Sequence, residues 1–186
     1  MSAEHVLKDA QDKMTQALKV METNFQGIRT GKASPALVEN IQVPYYGTPT
    51  RLRDMANIAT PEMRLIVITP YDPTALKDIA HSIQAANIGV TPQNDGRVVR
   101  VPIPELSEER RKEMTKVAHR FAEESRVAVR NVRRDANEAV KALQKAKEIS
   151  EDVEKATLDK VQKETDAIIG KIDTLLKSKE AEVMAV

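Results

Sequence analysis

Residues 110–134 read RRKEMTKVAHRFAEESRVAVRNVRR and hold seven of the thirteen arginines of the chain. Nine basic residues face three acidic ones there, a local balance of +6 in a protein whose formal total is +1. At about 100° per residue, Arg126, Arg130 and Arg133 fall within about 60° of one another, with Arg134 beside them. Met114, Val117, Phe121, Val132 and Ala136 gather on a face roughly opposite. The stretch is therefore a helix with one side to bury and another that presents a row of guanidinium groups. Arginine is planar, always charged and rich in fixed donors, which suits phosphate better than lysine does. No arginine follows Arg134, where nine lysines serve instead. A charge run can be a solvated face and nothing more. The arginine bias and the narrow face favour a phosphate-binding stripe.

Outward from this stretch, Ser107 supplies an N-cap, with Glu108 and Glu109 in the positive first turn. The apolar positions run through Met114, Val117, Phe121, Ala128, Val132, Ala136, Ala139 and Leu143. No glycine or proline intervenes before Lys147, so the helix should reach about 60 Å. Residues 149–152, Ile-Ser-Glu-Asp, make a short turn and a fresh cap. A third helix then places Leu158, Val161, Ile168, Ile172 and Leu175 on one seam, until charged and small residues take over after Lys179. Gly170 is a minor weakness inside it. At the other end of the chain, Met14, Leu18, Met21, Phe25 and Ile28 step by four and three residues along a helix from Ser2 to Arg29. This helix, about 40 Å long, stops where Thr30-Gly31 and Ser34-Pro35 break the pattern.

Between these helices the texture changes. Prolines concentrate in residues 31–105, four of the six glycines lie there, and the helical period disappears. Ile41 to Tyr46 alternates like a strand, and Gly47-Thr48-Pro49 turns it back toward Leu52. The β-branched run at residues 65–68 predicts a strand buried on both faces. Asp72-Pro73 starts a helix along Leu76, Ile79, Ile83 and Ala86, which Asn87 to Gly89 ends. Val90-Thr91 and Val98 to Val101 flank Asn94-Asp95-Gly96, a hairpin signal. The expected fold is α+β: residues 1–29 and 106–186 form a long three-helix bundle, and residues 30–105 form a small β-rich α/β domain inserted after the first helix. Two segments cross between the domains, at 29–31 and 102–105. Glycine on one and proline on the other predict a hinge at Thr30, Gly31, Pro102 and Pro104, against the plainer reading of two boundary loops.

The totals narrow the function. Aromatic content is 3% with no Trp, so the cores are aliphatic and methionine-filled, as in helix bundles. Zero cysteines remove disulfides, thiolate nucleophiles and the usual zinc sites, and sit easily with a reducing cytosol. No apolar run approaches the roughly 18 residues of a membrane span. The N-terminal stretch lacks a signal core, so a cytoplasmic location is expected. Charge is distributed as 0 over residues 1–29, 0 over 30–105, −2 over 106–109, +6 over 110–134 and −3 over 135–186. Such a dipolar chain can steer one face toward a polyanion without being adhesive all over.

Catalysis finds no support. His5, His81 and His119 are scattered, without a second histidine one helical turn away, and no glycine-rich phosphate loop occurs. Glu123-Glu124 and Glu151-Asp152 are adjacent rather than facing pairs, read as helix-surface and helix-start charges. No enzyme activity, cofactor or metal is expected. Tyr45 and Tyr46 point to opposite sides of their strand, so at most one enters the small core, while Tyr71 reads as packing at a helix start. Aromatics do not interleave with the arginines, which favours structured RNA, read through phosphates and shape, over a stacking platform for single strands.

Several segments together resemble bacterial ribosome recycling factors. They are residues 28–35 (IRTGKASP), 45–47 (YYG), 100–104 (RVPIP), 108–112 (EERRK), 126–137 (RVAVRNVRRDAN), 149–152 (ISED) and 179–182 (KEAE). The match runs through essentially the whole chain. Lys32 stands where that family often has Arg, and Arg51 where it often has Pro. The resemblance implies an L-shaped tRNA mimic, a monomer with no active site. Its bundle would lie against large-subunit ribosomal RNA near the aminoacyl and peptidyl sites after termination. Elongation factor G, with GTP, would then split the ribosome into subunits and release mRNA and tRNA, meeting the small domain. By position, Arg130 and Arg133 would contact ribosomal RNA, supported by Arg126, Arg134, Arg110 and Arg29. A reading from another class is a helical adaptor or chaperone-like protein whose arginines only solubilise it; binding to a polyanion would weaken steeply with salt, binding to such an adaptor's partners would not.

Overall fold

The computed structural model describes residues 2–185. The chain divides into two compact units, one made of the residues up to Ile28 and those from Glu108 onward, the other of Arg29–Ser107.

Three helices build the first unit: α1 (Ala3–Gln26), α4 (Glu108–Lys145) and α5 (Glu151–Met184). The hydroxyl of Ser2 accepts from the His5 N–H at 3.1 Å and caps α1. That helix ends at Gln26, earlier than the expected Arg29, because the Gly27 and Ile28 N–H groups close it on the Asn24 and Phe25 carbonyls at 3.2 and 3.1 Å. Lys147, in the left-handed region at φ 58°, turns the chain after α4. Ser150 then caps α5 by accepting from the Val153 N–H at 3.2 Å. Val6, Ala10, Met14, Leu18, Met21, Phe25 and Ile28 carry the α1 side of one continuous core.

On α4 the innermost line is Ala118, Ala122, Ser125, Val129, Ala136, Val140 and Leu143. The larger Met114, Val117, Phe121 and Val132 pack at its flanks, only partly buried. Spacing of large residues therefore located the apolar face but not its centre. α4 packs against both α1 and α5, and small side chains along its axis let both partners approach. The same holds on α5, where Thr157 and Thr165 take seam positions and Leu158 and Leu175 stand beside them. Each threonine hydroxyl donates to the carbonyl one turn back, Val153 at 2.7 Å and Val161 at 2.8 Å, so both hydroxyls are satisfied within the core. α5 continues past Lys179 to Met184, with Val183 fully buried, so the core extends beyond the expected end of the seam.

In the second unit, β1 (Gln42–Tyr45) and β2 (Thr48–Arg51) form an antiparallel hairpin. Its turn is Tyr46-Gly47, both at positive φ (49° and 77°), a two-residue turn whose twist matches that of the strands. The expected turn at Gly47-Thr48-Pro49 is thus shifted, and Pro49 pairs with Pro44 inside the ribbon. One helical turn, α2 (Leu52–Met55), leads into a second antiparallel sheet of order β3 (Ala56–Glu62), β4 (Leu65–Pro70), β6 (Val99–Pro102) and β5 (Gln93–Asn94). Both α2 and β3 escape the sequence reading. β3 is an edge strand with one large apolar residue, Ile58, and a proline, which an edge tolerates.

β4 alternates: Ile66 and Ile68 are fully buried, whereas Leu65 and Val67 are half-buried. It is therefore covered mainly on one face, not on two as expected, because an antiparallel sheet needs only one packed side. α3 (Leu76–Ala85) supplies Leu76, Ile79 and Ile83 to that core. Ala86 lies beyond the helix and is exposed. Asp95 Oδ1 accepts from the N–H groups of Arg97 (2.9 Å) and Val98 (2.8 Å), which shapes the loop between β5 and β6. Val90 and Thr91 stay outside the strands. Pro102 is the last residue of β6, opposite Leu65, and the Ile103 N–H donates to the Arg64 carbonyl at 2.7 Å. Pro102 is thereby a sheet residue, at the point where the returning crossing begins.

Candidate nucleic-acid interface

The arginine face of α4 runs along its border with α5. Three links seven residues apart on α4 join the two helices: His119 to Glu180, Arg126 to Asp173 and Arg133 to Gln162. Seven residues are close to two helical turns, so an antiparallel pair meets again at the same edge at each step.

The four arginines of this face are not equivalent. Arg126 is drawn inward, its side chain 20% exposed. Its Nε and Nη2 donate to Asp173 Oδ1 at 3.2 and 2.6 Å, and its Nη1 donates to Glu123 Oε2 at 3.2 Å. The bond to Asp173 leads the causes that raise its pKa above the ordinary guanidinium value. Arg130 is 49% exposed and touches Glu123 Oε1 through Nη1 at 3.3 Å. Arg133 is half-buried, with Nη1 at 3.4 Å from Gln162 Oε1, and Gln162 is itself held by Asp166 at 2.8 Å. Arg134 is 66% exposed, 3.7 Å from the Asp135 carboxylate. Arg130, Arg133 and Arg134 therefore present charge at the surface, and Arg126 ties two helices together.

Arg110 pairs with Glu113 at 3.0 Å. Sixteen residues from Arg126, it falls about 200° around the helix and does not share the face. Arg29 belongs to the second unit. Its Nη2 donates to the Ile88 carbonyl, and the guanidinium lies over Gly89, where an added Cβ would come within 3.0 Å of Nη1. Glu123, Asp173 and Gln162 were absent from the sequence-derived set. Glu123 could have been found, since it stands three and seven residues before Arg126 and Arg130. Nothing in the sequence points from Arg126 to Asp173, 47 residues away.

In the second unit the Tyr45 hydroxyl donates to Asp72 Oδ2 at 2.8 Å, and the Tyr45 and Tyr46 rings meet edge to face at 4.6 Å. Asp72 Oδ1 accepts from the Thr74 N–H at 2.9 Å and its hydroxyl at 2.7 Å. These Thr74 bonds, with Tyr45 contributing, hold the carboxyl below its ordinary pKa, and the bond to Asp72 raises the Tyr45 phenol above its own. Tyr46 is 83% exposed, while Tyr71 is 71% exposed rather than packed as expected. Among the described residues no group of three His, Asp or Glu side chains could hold a metal, and no helix is long and apolar enough to cross a membrane.

A long three-helix bundle, a cationic edge along its central helix and an inserted β unit define the class of protein to which this chain conforms. The family model for ribosome recycling factor matches residues 21–184. A ribosome-recycling factor of Desulfosudis oleivorans is 50% identical over 181 residues, covering 97% of this chain and 98% of its own. That of Bacillus pumilus is 46% identical over 184 residues, covering 99% and 100%. A solution structure of a ribosome recycling factor superposes with a TM-score of 0.80 at 39% identity, covering 100% of this chain and 99% of that one. Another solved structure, the T. thermophilus ribosome recycling factor described with elongation factor G bound to the post-termination complex of E. coli, gives 0.68 at 38% identity, with both chains fully covered. The chain belongs to the ribosome recycling factor family.

Proposed function

We propose that this protein binds the post-termination ribosome through its helical bundle. With elongation factor G and GTP it then separates the subunits and frees mRNA and tRNA. One observation carries the reading: Arg130, Arg133 and Arg134 stand together at the edge of a 38-residue helix whose opposite face is packed in the bundle core. Charge fixed on a stiff rod is suited to the phosphates of a pre-shaped RNA, where contacts supply affinity and register with little sequence information. The factor works by binding and being moved, without an active site of its own, as a cytoplasmic monomer. Arg110 is an outlying phosphate contact in this reading, and Arg29 supports from the second unit.

Movement would be taken up where the chain crosses between the units. The pivot in this reading is Thr30 and Gly31 on the outgoing crossing and Pro102 and Pro104 on the returning one, Pro102 being the last residue of β6. Gly31 has φ 76°, a conformation that other residues adopt at a cost.

The test is binding of the wild type and an Arg130→Ala/Arg133→Ala variant to vacant ribosomes across a salt series. Each neutralised phosphate contributes about 0.7 to 0.9 to the slope of log affinity against log salt, so the double variant should lose about 1.5 from that slope. Equal binding by both proteins would make the stripe a solvated face.

A further inference from the structure

Glu123 lies on the same face as the arginines, about 60° from Arg126 and 20° from Arg130 around the helix. A carboxylate there should repel an RNA surface. Its contacts suggest a different role. Asp173, on α5, holds Arg126 through two of its nitrogens, at 3.2 and 2.6 Å. Arg126 in turn holds Glu123 Oε2 at 3.2 Å, and the other oxygen of that carboxylate meets Arg130 Nη1 at 3.3 Å. The relay begins on a neighbouring helix and ends on one edge of an exposed guanidinium.

We infer that Glu123 and Asp173 are positioning residues for Arg130, Glu123 by direct contact and Asp173 through Arg126, which serves as a brace and not as an RNA contact. The inference rests on the reading of Arg130 as a phosphate contact. An exposed arginine samples many rotamers, and ordering it at an interface lowers affinity. Glu123 engages Nη1 alone, so it limits those rotamers while Nε and Nη2 keep their donors for phosphate. Arg126 is suited to the brace because three of its donors are already engaged by Asp173 and Glu123. Without Asp173, Arg126 would lose its anchor on α5, and Glu123 would be held only by two mobile side chains of its own helix.

The two accounts of Glu123 differ in sign, which makes the experiment decisive. Affinity for vacant ribosomes is measured at fixed salt for the wild type, Glu123→Gln, Asp173→Asn and Arg130→Ala, and for each acidic change combined with Arg130→Ala. Helicity and melting are recorded alongside. Positioning predicts that Glu123→Gln and Asp173→Asn each weaken binding by about 2- to 10-fold, the range for ordering one long side chain. Neither should weaken it further once Arg130 is alanine. Repulsion predicts tighter binding for both acidic changes in either background, and that result would overturn the inference. Weakening of equal size with and without Arg130 would also overturn it, since the acids would then act on the bundle as a whole. Failure of the wild type to bind, or of Arg130→Ala to weaken binding, would remove the phosphate reading itself, and the inference with it.

Discussion

At the scale of single residues, four arginines share one helix face, and the difference between contact and brace is decided by which carboxylates reach them. Arg126 has Asp173 and Glu123, whereas Arg133 has a 3.4 Å contact to the Gln162 amide. Charge reversal by Arg133→Glu should therefore abolish ribosome binding while helicity and melting temperature stay near those of the wild type. Loss of the fold in that variant would return Arg133 to a structural role. Asp72 gives a second case. Its folded pKa is depressed below 3.8, so its contribution to stability is complete above that value and is lost as pH falls through the folded pKa. Tyr45 has a folded pKa raised above 10.0, so its share is complete below that value and is lost as pH rises through the folded one. The Tyr45–Asp72 contact thus stabilises the second unit between these limits. Asp72→Asn should flatten the acid limb of that unit's stability profile, read by denaturant melts at stepped pH. An unchanged acid limb would show that the carboxylate is not linked to folding.

At the scale of elements, long periodic helices were legible and their centres were not. Met14, Leu18, Met21, Phe25 and Ile28 are all buried as their spacing predicts, because α1 has large residues on its seam. On α4 the inner line is small, so the larger neighbours outweigh it in any reading by hydrophobicity. Ala122 is fully buried there, and Ala122→Leu should destabilise the bundle by about 1–3 kcal/mol through overpacking, seen as a lower melting temperature. Gly170 is the opposite case. It lines an open groove between α1 and α5, and an added Cβ would meet nothing within 4 Å. Gly170→Ala should therefore stabilise α5 by about 1 kcal/mol and raise its melting temperature by about 2–4 °C. A lower melting temperature would mean that the glycine serves the groove. The short strands were less legible, since β3 draws its pairing from β4 and carries little apolar signal of its own.

At the scale of the whole molecule, two cores with no residue in common stabilise two units. Gly31→Ala tests the proposed pivot, because the new Cβ would meet Leu106 at an ordinary 3.6 Å and the cost falls on the backbone. Ribosome binding should persist, while the rate of subunit splitting with elongation factor G falls; an unchanged rate would remove Gly31 from the mechanism. The sequence by itself determined the three helices, the inserted β-rich segment and the narrow arginine face, since helical period, proline placement and charge spacing are local properties. Tertiary structure decided which line of α4 is innermost, that β4 is covered mainly on one face, that Pro102 belongs to the sheet, and that Arg126 turns inward. Each of these depends on a partner distant in the chain, on α1 and α5, on β3 and β6, on Leu65 or on Asp173, and no local pattern encodes where such a partner will stand.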